Sequence, residues 1–306
     1  MKQLSTIAMQ RKKMRRLILL TIHVALVFSL VFCVQGWSNG GWSTDPNNPK
    51  YGTHDWIAQH ALDWLPTGEK QFIINNLNIY LYGTELPDNP YAPDGIEDTS
   101  KHHVYYHADG SLQDDSSAAR AQQEYDVALN YARSGDWVNA SKTLGIMTHY
   151  ISDVGVFGHV MGTYTDWGAE VHHADYEDYV EAMTDNYTAV FSSYLVFEGT
   201  LDNISAYDAT LKLAFNTTFG DNGNFNCTWM DQNYNWSNPA FRSRCGESLN
   251  LKVNLVADVL HTFHQEAIVP EYSLNLLLIL FMLTTLLVII VSKRKHLSFQ
   301  RRLFSA

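Results

Sequence analysis

The segment Gly145-Ile-Met-Thr-His-Tyr-Ile-Ser-Asp-Val-Gly-Val-Phe-Gly-His159 sets His149, Asp153 and His159 in an otherwise apolar run. Residues four apart share a helical face, so His149 and Asp153 project together from a helix whose Leu144, Ile146, Met147, Ile151 and Val154 are core-like. A buried Asp beside a buried His needs a partner, and a divalent metal makes both tolerable at once. A satisfied His–Asp pair in a core helix is the plainer reading of this stretch taken alone. It is not alone: Val171-His-His-Ala-Asp-Tyr-Glu177 repeats the spacing at His173 and Glu177. His159 falls off the face shared by His149 and Asp153, and Gly155 and Gly158 let the chain bend there, so the spacings point to more than one metal ion. Metal positions left open to water and substrate perform hydrolysis. No Ser-His-Asp or Cys-His nucleophile pattern and no Gly-rich phosphate loop competes with that chemistry.

The elements that must position these groups read as helices. Thr53 to Leu65 is amphipathic, with Ile57, Ala58, Ala61, Leu62 and Leu65 on one face. His54 shares that face and is expected inside, whereas His60 is expected outside. A second helix is predicted from Lys70 to Tyr82, then a Pro-, Asp- and Gly-rich loop from Thr84 to Ser100 that carries Asp88, followed by His102, His103 and His107. Further helices are predicted over Ser116–Ser134, from Asp136 through Asp153, over Val171–Met183, Thr188–Phe197, Tyr207–Asn216 and Leu249–Phe263. Gly220 to Gly246 is expected to be an Asn- and aromatic-rich loop. Strand alternation is absent, and the fold class is all-α.

Both ends differ from the middle. Met1 to Arg16 holds six basic residues and no acid, ahead of an apolar run from Leu17 to Val34, which is the pattern of a secretory signal peptide over residues 1–36. Leu274 to Val291 is 18 residues without a charge, followed by Lys293-Arg-Lys295 and Arg301-Arg302. It reads as a transmembrane helix with a basic cytoplasmic tail over residues 292–306. The expected organisation is a single-pass cell-surface protein, its extracellular domain spanning residues 37–268 and held to the membrane by the C-terminal helix. Six N-x-S/T sequons, at Asn139, Asn186, Asn203, Asn216, Asn226 and Asn235, suit a glycoprotein. Cys227 and Cys245 are expected to pair as a disulfide in an oxidising compartment.

Setting aside the terminal basic residues leaves ten Lys and Arg against 32 Asp and Glu, a formal charge of −22 for the middle of the chain. Such a domain repels polyanions, so nucleic acid is a less favoured substrate than a small phosphate ester.

Taken together, His149-Tyr-Ile-Ser-Asp153 with His159, His173-x-x-x-Glu177, Gly52-Thr-His54 opening a helix, and Leu86-Pro-Asp88 ahead of Lys101-His-His-Val-Tyr105 resemble the zinc-dependent phospholipase C family and its relatives, the zinc-dependent single-strand nucleases. The resemblance covers roughly Trp37 to Met183. It implies a helical domain and about three zinc ions. One ion would take Asp88, His103, His149 and Asp153; a second His54 and the bridging Asp153; a third His159, His173 and Glu177. It also implies that a mature N-terminal Trp completes the second ion, which Trp37 fits, with Trp42 as the alternative. His103 is preferred over His102 because bulky residues follow it. Asp88 is the general base the resemblance implies, and the substrate a phospholipid, another phosphodiester or a nucleotide. Glu177, where the nucleases usually carry Asp, favours the phospholipases.

Overall fold

The computed structural model describes residues 41–221, 223–268, 279, 281–291 and 293. The chain divides into two compact units, Met1–His264 and Gln265–Ala306. In the first unit the helices are α1 (Thr53–Trp64), α2 (Thr67–Ile74), α3 (Leu77–Glu85), α4 (Ser116–Arg133), α5 (Trp137–Asp153), α6 (His173–Ala182), α7 (Ala206–Phe219), α8 (Cys227–Gln232) and α9 (Pro239–Ile268), the last running into the second unit. The mostly helical expectation holds, with one exception. Strands β1 (Tyr105–Tyr106) and β2 (Leu112–Asp114) pair antiparallel, too short to leave an alternation in the sequence.

Helix α5 is the central element and packs against both α4 and α3. Its start is fixed by Asp136, whose side chain accepts the Asn139 backbone N–H. From Leu144 to Asp153 every residue is buried, as a helix surrounded by others requires. The crossing with α3 is set by two glycines: a Cβ on Gly145 would stand 2.0 Å from the Tyr80 carbonyl oxygen, and one on Gly83 would stand 2.1 Å from that of Lys142. Because backbone meets backbone there, Gly145→Ala should cost about 1–3 kcal/mol in denaturant unfolding, and more if the helices cannot part.

Other elements differ from expectation for local reasons. The helix predicted over Lys70–Tyr82 is two helices broken at Asn75-Asn76, where Asn76 leaves helical geometry (φ −126°). Thr188–Phe197 holds only a 3₁₀ stretch, Val190–Tyr194. The loop expected over Gly220–Gly246 contains α8, capped by the Asn226 side chain accepting the Trp229 N–H, and the start of α9. His60 is buried rather than outward, its Nδ1 2.8 Å from Asp63 Oδ2 and its Nε2 2.9 Å from the Tyr187 carbonyl.

Helix α9 buries Leu249, Val253, Val256, Val259, Leu260 and Phe263. A second stripe on it is polar. Asn250, Asn254, Asp258 and Thr262 accept the backbone N–H groups of Val196, Glu198, Asp202 and Ile204 at 2.7–3.2 Å, fastening the extended chain ahead of α7. Burial pushes the Asp258 carboxyl up to about 6. A raised carboxylate value means that stability is lost as pH climbs from the unfolded value near 4 to about 6, and stays lost above it. Asp258→Asn keeps the acceptor for Asp202, so it should stabilise the protein at pH 7 by roughly 1–2 kcal/mol and have no benefit near pH 3. Thermal unfolding across pH measures this.

Two expectations are corrected. Cys227 and Cys245 are free thiols, not a disulfide. The Tyr176 hydroxyl donates to Cys245 Sγ at 3.2 Å, and burial pushes both thiols up to about 12. Second, among the described residues no helix is long and apolar enough to cross a membrane. In the second unit the described residues 281–291 are helical. The single-pass cell-surface assignment is therefore withdrawn. Residues 1–36, Trp37, residues 274–278 and 280, and the tail apart from Lys293 lie outside the described residues.

Candidate metal centre

Three elements bring the first cluster together. Helix α1 opens with His54, α5 ends with His149 and Asp153, and the chain leaving α3 carries Asp88. The Gly83–Gly145 approach is what lets the end of α3 reach α5: His149 Nδ1 lies 2.7 Å from the Thr84 carbonyl. A carbonyl can only accept, so Nδ1 carries a proton, and in the neutral ring Nε2 is the lone pair available to a metal. That Nε2 is 3.1 Å from Asp153 Oδ2 and 3.7 Å from Asp88 Oδ2. His54 stacks on His149 with ring centroids 4.0 Å apart, its Nδ1 2.8 Å from Ser152 Oγ and its Nε2 3.3 Å from Asp153 Oδ1.

His102, not His103, completes this cluster. Its Nδ1 is 3.0 Å from Asp153 Oδ2 and 3.4 Å from Asp88 Oδ1, while its Nε2 lies 3.5 Å from Asp98 Oδ1. His103, the sequence choice, turns away toward His159, with ring centroids 5.3 Å apart. The 3₁₀ turn Thr99–Lys101 immediately upstream sets which of the two neighbours faces in, and no helical periodicity encodes that direction.

A second cluster gathers His159, His173 and Glu177. Glu177 Oε1 is 2.9 Å from His173 Nε2 and 3.4 Å from His159 Nε2. Gly158 makes the approach possible, since a Cβ there would stand 2.3 Å from the His173 ring. Glu170, which the sequence spacing does not single out, lies 3.5 Å from His173 Nδ1 and orients it. Two further carboxylates missed in the sequence are Asp55 and Glu85, both buried. Glu85 accepts the N–H groups of Ser43 (2.6 Å) and Lys50 (2.5 Å), tying the lead-in segment to the end of α3.

The ligand atoms of His54, His149 and Asp153, of Asp88, His102 and His149, and of His159, His173 and Glu177 form three groups, each within 4.8 Å. Asp153, His54, His149 and His159 are wholly buried, yet His54 Nε2, both Asp153 oxygens and both His159 ring nitrogens have no hydrogen-bond partner. Orphaned polar atoms in a core are costly, and converging nitrogen and oxygen lone pairs are what a cation satisfies. Two of the imidazoles are held in the neutral form that binds metal. Burial, with His149 beside it, lowers His54 to about 3, and burial holds His159 well below its ordinary value, so both are neutral donors. Burial would raise Asp153, but His149, His159 and His102 outweigh it and keep the carboxyl well below the usual range.

Comparison with known proteins agrees with this chemistry. The model of the zinc dependent phospholipase C family matches residues 53–251, well over half of the chain. The chain belongs to that family, whose members are hydrolases of phosphodiester bonds and depend on zinc. Among solved structures, the alpha toxin of Clostridium absonum is similar at 15% identity, covering 75% of this chain and 67% of that one, with a TM-score of 0.50. The Clostridium perfringens alpha-toxin from an avian strain is similar at 14% identity over 76% and 68%, with a TM-score of 0.46. None of the curated proteins compared with the chain matches it.

Proposed function

We propose that the protein is a phospholipase C-type enzyme that binds about three zinc ions and hydrolyses a phospholipid on the glycerol side of its phosphate, releasing the phosphorylated headgroup. The observation that carries this reading is the convergence of eight His and carboxylate side chains, buried and in part without hydrogen-bond partners, into three groups, two of which share His149. Asp88, His102, His149 and Asp153 would hold one ion, His54 and Asp153 a second, and His159, His173 and Glu177 a third. Bound zinc would neutralise phosphate oxygens and lower the pKa of a water molecule. Asp88 serves as the general base. It is the most exposed of the eight, at 8%, as a group that takes a proton from an entering water would be. Asp98 and Glu170 hold His102 and His173 in place, and Thr84 fixes the tautomer of His149. The enzyme domain comprises residues 37–268, led by the signal peptide over residues 1–36, with Trp37 as a further ligand once that segment is removed.

The test is incubation of the zinc-loaded full chain with phosphatidylcholine vesicles. Phosphocholine should appear in the aqueous phase. Release of free choline, or digestion of single-stranded nucleic acid in preference to lipid, would overturn the reading.

A further inference from the structure

The sequence places two adjacent histidines where the cluster takes one. His102 enters it, and His103 is left at the site without a role. Its main chain is fixed on both sides: the Ser117 N–H donates to the His103 carbonyl at 3.0 Å, and the Val104 N–H donates to the His159 carbonyl at 3.2 Å. That second bond holds the segment against the ligand-bearing turn of the second cluster. The His103 ring lies there, its centroid 5.3 Å from that of His159 and 5.5 Å from that of Tyr105. Unlike the eight side chains of the metal groups, all of them buried, His103 is partly exposed. One residue thus faces the first cluster while its neighbour, partly exposed, stands beside the second.

We propose that His103 is a substrate-binding residue whose ring N–H donates a hydrogen bond to the anionic phosphate group held at the metal centre. An imidazole always has at least one N–H to offer, and a bond from it to an anionic oxygen is of the stronger, charge-assisted kind. A carboxylate at the same position would repel the phosphate, and an aliphatic side chain would leave one of its oxygens without a partner. The proposal rests on the phospholipase C reading for the identity of the substrate, but its recognition chemistry needs only a phosphate.

The probe is inorganic phosphate, titrated calorimetrically into the zinc-loaded full chain, with zinc content measured on the same samples. H103F keeps an aromatic ring against His159 and Tyr105 but has no donor, while H103Q returns an N–H. H103F should keep the wild-type zinc content and bind phosphate about tenfold more weakly, with H103Q closer to wild type. Phosphatidylcholine hydrolysis by H103F should show a matching loss in kcat/KM. Unchanged phosphate affinity at unchanged zinc content overturns the proposal, and so does a loss of zinc in both variants, which would make His103 a ligand. If H103F fails to fold, H103L, which also lacks a donor, takes its place: phosphate affinity about tenfold weaker than wild type at full zinc content supports the proposal, and unchanged affinity or loss of zinc overturns it. If the wild-type protein binds phosphate through His103 yet cleaves no phospholipid, the assignment of lipid as substrate fails while this one stands.

Discussion

Asp153→Asn should remove at least one zinc ion and reduce hydrolysis on the order of 10³-fold, a loss of about 4 kcal/mol of transition-state stabilisation. The reason lies in how many groups meet at one carboxylate. Its oxygens stand 3.3 Å from His54 Nε2, 3.1 Å from His149 Nε2 and 3.0 Å from His102 Nδ1, with burial complete. An amide of the same shape presents one neutral oxygen and one N–H, and the N–H faces imidazole nitrogens that a cation should occupy. The anion that the proposed function assigns to both ion positions of the first cluster is then gone. Since the carboxylate and its imidazoles are a buried pair, removing one partner also destabilises the fold, by roughly 3–5 kcal/mol where no cation compensates. Zinc content by elemental analysis and hydrolysis rate are read on one preparation. Full zinc content with unimpaired turnover would show that Asp153 only packs.

Asp88→Asn has the second largest expected effect and a different signature. Asp88 lies 3.4 Å from His102 Nδ1 and 3.7 Å from His149 Nε2, at the exposed edge of its group. If it takes the proton from the attacking water, the amide cannot, and kcat should fall by roughly 10²–10⁴-fold. The His159, His173 and Glu177 group does not include Asp88, so it should keep its ion. A variant that loses all bound zinc would make Asp88 a structural ligand alone, and one that retains kcat would remove it from the mechanism.

How much of this centre the sequence discloses depends on how local the geometry is. His149 with Asp153, and His173 with Glu177, are each four apart on one helix, so the helix itself sets their meeting and periodicity reveals it. His54 is similar, placed by the first turn of α1. The choice between His102 and His103 depends on a 3₁₀ turn and a bond to the His159 carbonyl, neither of which leaves a pattern. Glu85 and Glu170 escaped notice because they serve partners distant in the sequence or lie outside the repeated spacing.

The fold shows the same division. Apolar periodicity located the helices from α1 to α7 but ran α2 and α3 together and extended the 3₁₀ stretch Val190–Tyr194 into a helix, whereas the short hairpin of β1 and β2 is too brief to alternate. Helix α8 and the start of α9 lay hidden in an Asn-rich stretch, although Asn226 is itself the cap. The disulfide expectation came from cysteine count and compartment, which carry no distance; the partner of Cys245 is the Tyr176 hydroxyl. The membrane expectation came from an apolar window, whereas among the described residues no helix is long and apolar enough to cross a membrane.

The most direct test of the central claim is a count of metal against turnover. The purified full chain, saturated with zinc and freed of excess, should carry about three ions by native mass spectrometry. A chelator should abolish phosphatidylcholine hydrolysis, and added zinc should restore it. Hydrolysis that persists in chelated, zinc-free protein, or a saturated chain that holds no zinc, would contradict the account.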